Sequence, residues 1–359
     1  MKLTDDFFLE HCSHERRVLQ FTLYALHLAW GGTIWGKPVK ASTVEGYLRA
    51  AASLVALHCN RDPRYDRPTD LKMSPRIHAI LAELKRVESI PDRMEPYTPA
   101  MQALLRDLIQ ETNAGPDSFL HAMLNWNACN MSMGCRLREY AQNNAHKSLD
   151  NPEKAPNNLP GKPSLRAFTL GDVALFDEHN RSVSFRTFAS DASSVHRVEM
   201  TWSWQKNSEH GRSLAYTSNR AAPEFDFIRN LHEIICRFDR LVGLHNTTTP
   251  LAVYRDDGCA TEYLHERKIS ALIKTLAIRC YHLDPRAPKI PYGSHSLRVG
   301  ACVALHAAGA SDVQIQFLLR WKSNAFMNYL RKIGRLSEVQ NAAIALAASN
   351  ANIQFAIAA

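Results

Sequence analysis

Apolar residues recur with helical spacing along most of this 359-residue chain, and this constrains the fold more than any other feature. One segment shows the pattern clearly, with apolar side chains at the i, i+3, i+4, i+7 and i+8 positions of one helix face: Met101, Leu104, Leu105, Leu108 and Ile109. Strict alternation of apolar and polar residues is confined to residues 168–217. The chain is therefore predicted to be mainly α with a small antiparallel β-sheet, an α+β fold.

Several helix-start signals support this interpretation. Ser42 and Glu45 form a capping-box pattern, and Ser74 and Thr98 each precede a proline at the first helical position. Another helix is predicted from Pro116 to about Gly134.

The helical segments group into two predicted domains. Residues 1–95 form a small helical domain, and Pro91 and Pro96 mark the linker that follows it. Residues 96–359 form the second domain, which ends in a predicted helix over residues 336–359.

The alternating region predicts strands. Its apolar pattern places them at residues 168–177, 182–188, 196–204 and 212–217. The turn-like residues 207–211 would join the last two strands as a hairpin.

Charge and cysteine usage narrow the class of protein. The net charge is +8 and the pI is about 9.1, which favours a polyanionic partner. Eight cysteines show no C-x-x-C pair and no zinc-site spacing, so they are predicted to be free thiols inside a cell. We predict no membrane span, because the uncharged tail after residue 338 contains six Asn, Gln and Ser side chains.

The segment from Ser294 to Arg331 carries the most specific pattern. It contains His295-Ser-Leu-Arg298, then Trp321, and then Tyr329 eight residues later. A lone His-x-x-Arg arises by chance, but four positions in this order and spacing are a strong signal. The segment resembles the active-site region of tyrosine recombinases, the family of phage integrases and Cre recombinase, and is especially similar to integrases of eukaryotic mobile elements.

The resemblance extends to two earlier positions. The family has an arginine in a Gly-Leu-Arg-x-x-Glu setting, which matches Gly134-Cys-Arg136-Leu-Arg-Glu139. Arg136 is thus the implied first catalytic arginine, with Arg138 as its rival, and Glu139 is an implied supporting residue. The family's hairpin lysine corresponds to Lys206.

The resemblance also implies the chemistry. Tyr329 would attack a DNA phosphate and form a covalent 3′-phosphotyrosyl link, while His295 accepts or holds its proton. Arg136 and Arg298 would clamp the phosphate oxygens, and Lys206 would protonate the departing 5′-oxygen. Arginines supply the positive charge, so no metal, ATP or other cofactor is expected.

Trp321, Glu139, Lys206 and Tyr329 also have ordinary structural interpretations. Trp321 either packs in the core or donates its indole N–H to the phosphate. Glu139 either orients the site or makes a surface ion pair, Lys206 could be a solvated charge, and Tyr329 alone would be a core residue.

The expected partner is double-stranded DNA, held in a clamp of the two domains. Recombination implies four protomers on two DNA sites, monomeric when free. Helix 336–359 either covers its own core or is donated to a neighbouring protomer. The nucleus and the bacterial nucleoid are both open as locations.

Three rival functions remain. They are strand relaxation like that of a type IB topoisomerase, DNA binding by a catalytically silent derivative of a mobile element, and a helix-turn-helix regulator. The last would explain the charge but not the His-Arg-Trp-Tyr pattern.

Overall fold

A computed structural model gives the fold. It describes residues 11–31, 39–67, 72–87, 93–142, 167–205, 210–219, 221–257, 259–321, 323 and 326–330. The chain divides into two compact units, Met1–Asp92 and Arg93–Ala359. The predicted helix over residues 336–359 lies outside the described residues.

The first unit has three described helices, α1 (His14–Ala29), α2 (Ala41–Cys59) and α3 (Pro75–Val87). Their inward faces share one apolar core, which includes Phe21, Ala25, Leu28, Val44, Leu48, Ala52, Ile77 and Leu81.

The predicted capping box at Ser42 is wrong. Helix α2 begins one residue earlier, at the fully buried Ala41, after Lys40, which makes no side-chain cap. Burial of Ala41 in the core therefore places Ser42 inside the first turn, whereas an N-cap residue needs an extended backbone.

The second unit is built around α5 (Phe119–Met133), which contacts α4 (Pro99–Glu111), α7 (Phe227–Leu241) and α9 (Ser296–Ala307). Helix α8 (Glu266–Tyr281) packs on α4. The starts of α4 and α5 agree only partly with the prediction. Thr98 caps α4 as predicted, but α5 starts at Phe119 rather than Pro116, because Ser118 provides its cap.

Three antiparallel strands lie in the order β1 (Val173–Phe176), β2 (Arg197–Trp202) and β3 (Arg212–Thr217). Strands β2 and β3 form the predicted hairpin, with Trp202 opposite Arg212. The buried face of β2 carries Val198, Met200 and Trp202.

Three details of the predicted sheet differ from the structure. The strand predicted at residues 168–177 is limited to β1, because Leu170–Asp172 form a 3-10 turn. The strand predicted at residues 182–188 is instead the short helix α6 (Phe185–Ser190), because Ser184 accepts a hydrogen bond from the backbone N–H of Thr187 and starts a helical turn. A second ribbon, β4 (Val253–Arg255) and β5 (Thr261–Tyr263), was not predicted.

The C-terminal described elements are α9, α10 (Asp312–Leu319) and α11 (Met327–Leu330). The Ser311 hydroxyl caps α10. Gly300 lets α9 approach the start of the unit closely, because a Cβ at this position would lie 2.4 Å from the carbonyl oxygen of Tyr97. The fold is mainly α with small antiparallel sheets, so the predicted α+β class is confirmed.

Candidate active site

His295 and Tyr329 meet at the start of α9. His295 immediately precedes the helix, and Tyr329 lies in the short helix α11. The Tyr329 hydroxyl oxygen is 2.7 Å from Nε2 of His295, and the two rings are 5.7 Å apart between centroids. The structure therefore brings together two of the predicted site residues.

The electrostatic surroundings keep both groups uncharged at neutral pH. His295 has an exposed side, but partial desolvation, together with the charges of Arg298 and Arg136, lowers its pKa to about 4. Desolvation raises the pKa of Tyr329, while the nearby Arg298 acts in the opposite direction. A neutral imidazole with its proton on Nδ1 can accept the phenol proton at Nε2.

Arg298 lies in the first turn of α9 and is 1% exposed. It donates hydrogen bonds to the carbonyl oxygens of Gly134 and Leu319, the latter at 2.6 Å. Its guanidinium carbon is 4.3 Å from the ring centroid of Trp321. Burial and the neighbouring Arg136 charge lower the pKa of Arg298, yet an arginine stays protonated at neutral pH.

Arg136 follows the end of α5, where Gly134 adopts a left-handed conformation with φ of 54°. A Cβ on Gly134 would lie 2.5 Å from a methyl carbon of Leu319, so glycine allows this turn to approach α10. The Arg136 side chain is 22% exposed and Arg298 is buried. Arg136 is therefore the guanidinium more open to a ligand.

Glu139 is buried, at 1% exposure, so the surface interpretation of this residue is wrong. Its carboxylate accepts hydrogen bonds from the Arg136 backbone N–H at 3.0 Å and from the Arg136 guanidinium at 3.2 Å. It also accepts one from the indole N–H of Trp202 at 3.1 Å. Arg138, the alternative to Arg136, is half-buried in the adjacent turn and has no hydrogen bond to Glu139 in the described part of the chain.

Sequence reasoning missed Arg320. This residue is 1% exposed, and it donates to Glu139 at 2.9 Å and to the carbonyl oxygen of Met133 at 3.1 Å. Its guanidinium carbon also lies 3.8 Å from the ring centroid of Trp202. The one available signal was an arginine that interrupts the apolar run between Leu319 and Trp321.

Trp321 lies between Arg298 and Tyr329, and its ring is 5.7 Å from that of Tyr329. Its indole N–H is buried and has no hydrogen-bond partner among the residues that the structure describes. A buried donor normally has a partner, so this N–H is an unsatisfied group beside Arg298 and Tyr329.

Lys206 lies outside the described residues, but both ends of its hairpin are anchored near the site. At the end of β2, Trp202 donates to Glu139. At the start of β3, Arg212 donates to the carbonyl oxygen of Phe317 at 2.7 Å and lies 4.2 Å over its ring.

The assembled groups can support a nucleophilic attack on an anionic ester. The Tyr329 phenol has a neutral imidazole as its proton acceptor. The charge of Arg298 acts on both groups and that of Arg136 acts on the imidazole, so positive charge is present to stabilise a developing anion. In the described parts of the chain, no group of three or more His, Cys, Asp or Glu side chains is arranged to hold a metal ion. Across the same parts, no helix has both the length and the apolar character of a membrane span.

Comparisons with known proteins gave structural neighbours at low similarity. No protein-family model and no curated protein sequence matches the chain. One solved structure, residues 82–397 of the Tn1549 transposon integrase with circular intermediate DNA, is 14% identical. The match covers 89% of this chain and 82% of that chain, with a TM-score of 0.43. The Y379F form of the same integrase with transposon right end DNA is 12% identical, covers 89% and 85%, and has a TM-score of 0.40.

Proposed function

We propose that this chain is a site-specific DNA recombinase that cleaves and rejoins duplex DNA through a covalent 3′-phosphotyrosyl intermediate at Tyr329. The observation that carries the proposal is the 2.7 Å approach of the Tyr329 hydroxyl to Nε2 of His295 beside Arg298. A core tyrosine also needs a hydrogen-bond partner, but here the partner is an imidazole that can take the phenol proton, and the charge of Arg298 acts on the same hydroxyl.

In the cleavage step, the Tyr329 oxygen forms a bond to phosphorus and its proton passes to Nε2 of His295. The bond from phosphorus to the 5′-oxygen breaks, and Lys206 donates the proton that this oxygen takes up. In the rejoining step, a DNA 5′-hydroxyl attacks the phosphotyrosine and gives its proton to the neutral Lys206. Tyr329 leaves as a phenolate and regains its proton from His295. The bond energy is conserved in the intermediate, so the reaction consumes no ATP.

The two arginines serve the transition state. Negative charge grows on the non-bridging oxygens as the fifth bond to phosphorus forms, and fixed guanidiniums stabilise it without reorganising. Arg136, being more exposed, would make the outer contact, and the buried Arg298 would make the inner one. The buried indole N–H of Trp321 would supply a further donor.

The partners follow from the same proposal. Double-stranded DNA would bind chiefly through its phosphates, with an affinity that falls as salt rises. The two-domain clamp, the tetramer on two DNA sites and the exchange of helix 336–359 are parts of this proposal. Intracellular location, in a nucleus or a nucleoid, belongs to it as well.

The first experiment is covalent trapping. The full chain is incubated with nicked duplexes of random sequence and with the DNA that flanks its gene, and the products are separated on a denaturing gel. A nick near the cleavage site lets the short 5′-hydroxyl fragment diffuse away, so the adduct accumulates. Sequencing of the trapped DNA then provides a defined substrate.

Two tyrosine variants make the test specific. Tyr329→Phe should abolish the adduct and keep salt-sensitive DNA binding. Tyr263→Phe is the matched control, because its buried hydroxyl has no hydrogen-bond partner in the described structure, and it should form the adduct normally. Binding to flanking DNA without any adduct would favour a silent DNA-binding derivative. Relaxation of supercoiled plasmid without strand exchange would favour a topoisomerase-like enzyme.

A further inference from the structure

Arg320 occupies a position that arginine does not ordinarily favour. It ends α10 with φ of 56° and ψ of 50°, in the left-handed region where glycine and asparagine are common. Its side chain is also fully buried, at 0% exposure. A charged residue that is both buried and in a left-handed backbone conformation persists only where several contacts determine its conformation.

The contacts of Arg320 lead to Arg136 through one carboxylate. Arg320 donates to Oε2 of Glu139 at 2.9 Å, and Oε1 of the same carboxylate accepts from the Arg136 guanidinium at 3.2 Å. Because Arg320 binds one oxygen, the carboxylate is held in the orientation that presents the other to Arg136. Trp202 reinforces this arrangement, since its indole N–H also reaches Oε2 and its ring lies under the Arg320 guanidinium.

The backbone at the end of α10 makes a second connection. The carbonyl oxygen of Arg320 lies 3.5 Å from Nη2 of Arg136, and that of Leu319 accepts from Arg298 at 2.6 Å. The last carbonyls of a helix have no partner within the helix and carry partial negative charge. The left-handed turn at Arg320 thus sets the position of acceptors for both arginines of the site.

We propose that Arg320 is a positioning residue for DNA strand cleavage, which orients the Arg136 guanidinium toward the scissile phosphate through Glu139. The inference rests on the proposed function. Arg320 itself, being fully buried, contacts no substrate in this account, and its side chain acts on the site through Glu139 and Arg136.

The test compares single-turnover cleavage by wild-type protein and by Arg320→Lys, on the duplex recovered by covalent trapping. Lysine keeps the charge but cannot bond Glu139 and Met133 with a planar fork while stacking on Trp202. Cleavage should slow by about 10- to 100-fold, as expected for a misplaced transition-state donor, while the Kd for DNA stays within about threefold.

A second substrate separates positioning from general damage. A methylphosphonate at the scissile position removes the negative charge that Arg136 stabilises, so correct placement of Arg136 should matter less. The deficit of Arg320→Lys relative to wild type should shrink to under about threefold on this substrate. In a double-mutant cycle, Arg136→Lys with Arg320→Lys should be about as slow as Arg136→Lys alone.

Two further variants guard the interpretation. Arg237→Lys is the matched control, because Arg237 is also a buried arginine of the second unit but bonds Pro116 and Asn125, away from the site. It should lower the unfolding temperature and leave the cleavage rate unchanged. If Arg320→Lys does not fold, Trp202→Phe replaces it in the test, because this variant keeps a ring under Arg320 and removes one hydrogen bond to Glu139. Its cleavage rate should also fall on the natural phosphate and recover on the methylphosphonate, by a smaller factor than for Arg320→Lys.

The outcomes are distinct. Equal deficits on both substrates, or full activity in folded Arg320→Lys, would overturn the positioning role and leave the proposed function standing. A substrate with sulfur at the bridging 5′ position has a leaving group that needs no proton. If this substrate restored the cleavage rate of Arg320→Lys, the defect would lie in proton donation by Lys206, and the positioning role would also be overturned. Absence of an adduct with wild-type protein would remove the proposed function, and this inference with it.

Discussion

The hydroxyl oxygen of Tyr329 lies 2.7 Å from Nε2 of His295, although 34 positions separate the two residues in the chain. The start of α9 and the helix α11 bring them together, and Arg298, in the first turn of α9, completes the group. A phenol paired with a neutral imidazole is the arrangement required for transfer of the tyrosine proton during attack on a phosphate.

The first prediction concerns the pH dependence of His295. Its pKa of about 4 means that Nε2 is unprotonated above about pH 5, so adduct formation should persist as pH falls from 8 to 5 and disappear as pH falls through about 4. NMR titration of the imidazole, with the signal assigned by His295→Gln, measures the value directly. A pKa at the ordinary 6.5 would contradict the described environment.

The lowered pKa of His295 also determines how the free energy of unfolding changes with pH. Because the folded-state pKa lies below the value of 6.5 for a free histidine, the unfolded chain binds more protons between about pH 6.5 and 4. The free energy of unfolding should therefore decrease as pH falls across this window. His295→Gln should make that decrease smaller in urea unfolding experiments; an unchanged pH dependence would show that His295 titrates normally.

Trp321 offers a test between packing and phosphate contact. Its buried N–H has no partner in the described structure, and a hydrogen bond to a charged group contributes about 1.5–3 kcal/mol. Trp321→Phe should thus slow cleavage by about tenfold or more, and Trp321→His, which restores an N–H donor, should recover part of the rate. If the phenylalanine variant cleaves normally, Trp321 only packs against Arg298 and Tyr329.

Glu139 should be important for stability as well as for the site. Glu139→Gln leaves the buried Arg320 without its carboxylate partner, and breaking such a buried pair costs about 3–5 kcal/mol of the free energy of unfolding. Glu262→Gln is the control, because its pair with Lys268 is partly exposed and should contribute at most about 1 kcal/mol. Similar losses for the two variants in urea unfolding would argue against the central position of Glu139.

Lys206 can be tested although it lies outside the described residues. As a general acid it should contribute about 10²- to 10⁴-fold to cleavage, so Lys206→Ala should be slower by that order. A substrate with sulfur at the bridging 5′ position has a better leaving group that needs no proton, and it should restore the rate of the variant. Failure of this substrate to rescue Lys206→Ala would assign the proton to another group.

The sequence was informative where local rules decide the structure. Thr98 caps α4 through its own hydroxyl, as the sequence predicts, and the β2–β3 hairpin follows an alternating pattern six residues long. Shorter elements were not predicted, because the three-residue strand β4 and the six-residue helix α6 are too short to show a periodic apolar pattern.

Buried charge was the other failure of sequence reasoning. Arg320 and Glu139 look like surface residues in a linear sequence, and only the tertiary structure places one against the other beside Trp202. The order of His295, Arg298, Trp321 and Tyr329 could be recognised through the resemblance to tyrosine recombinases, since these residues lie within one short segment of the chain. The contact of Arg320 with Glu139 could not be recognised in the sequence, because it joins residues 181 positions apart.

The most direct measurement of the central claim is mass spectrometry of the trapped adduct after nuclease and trypsin digestion. Trypsin should release the peptide from Ser323 to Arg331, in which Tyr329 is the only tyrosine. The account predicts a nucleotide attached through its 3′-phosphate to Tyr329, and its absence in Tyr329→Phe. A nucleotide on Ser323 or on any other residue, or an adduct that survives in Tyr329→Phe, would contradict it.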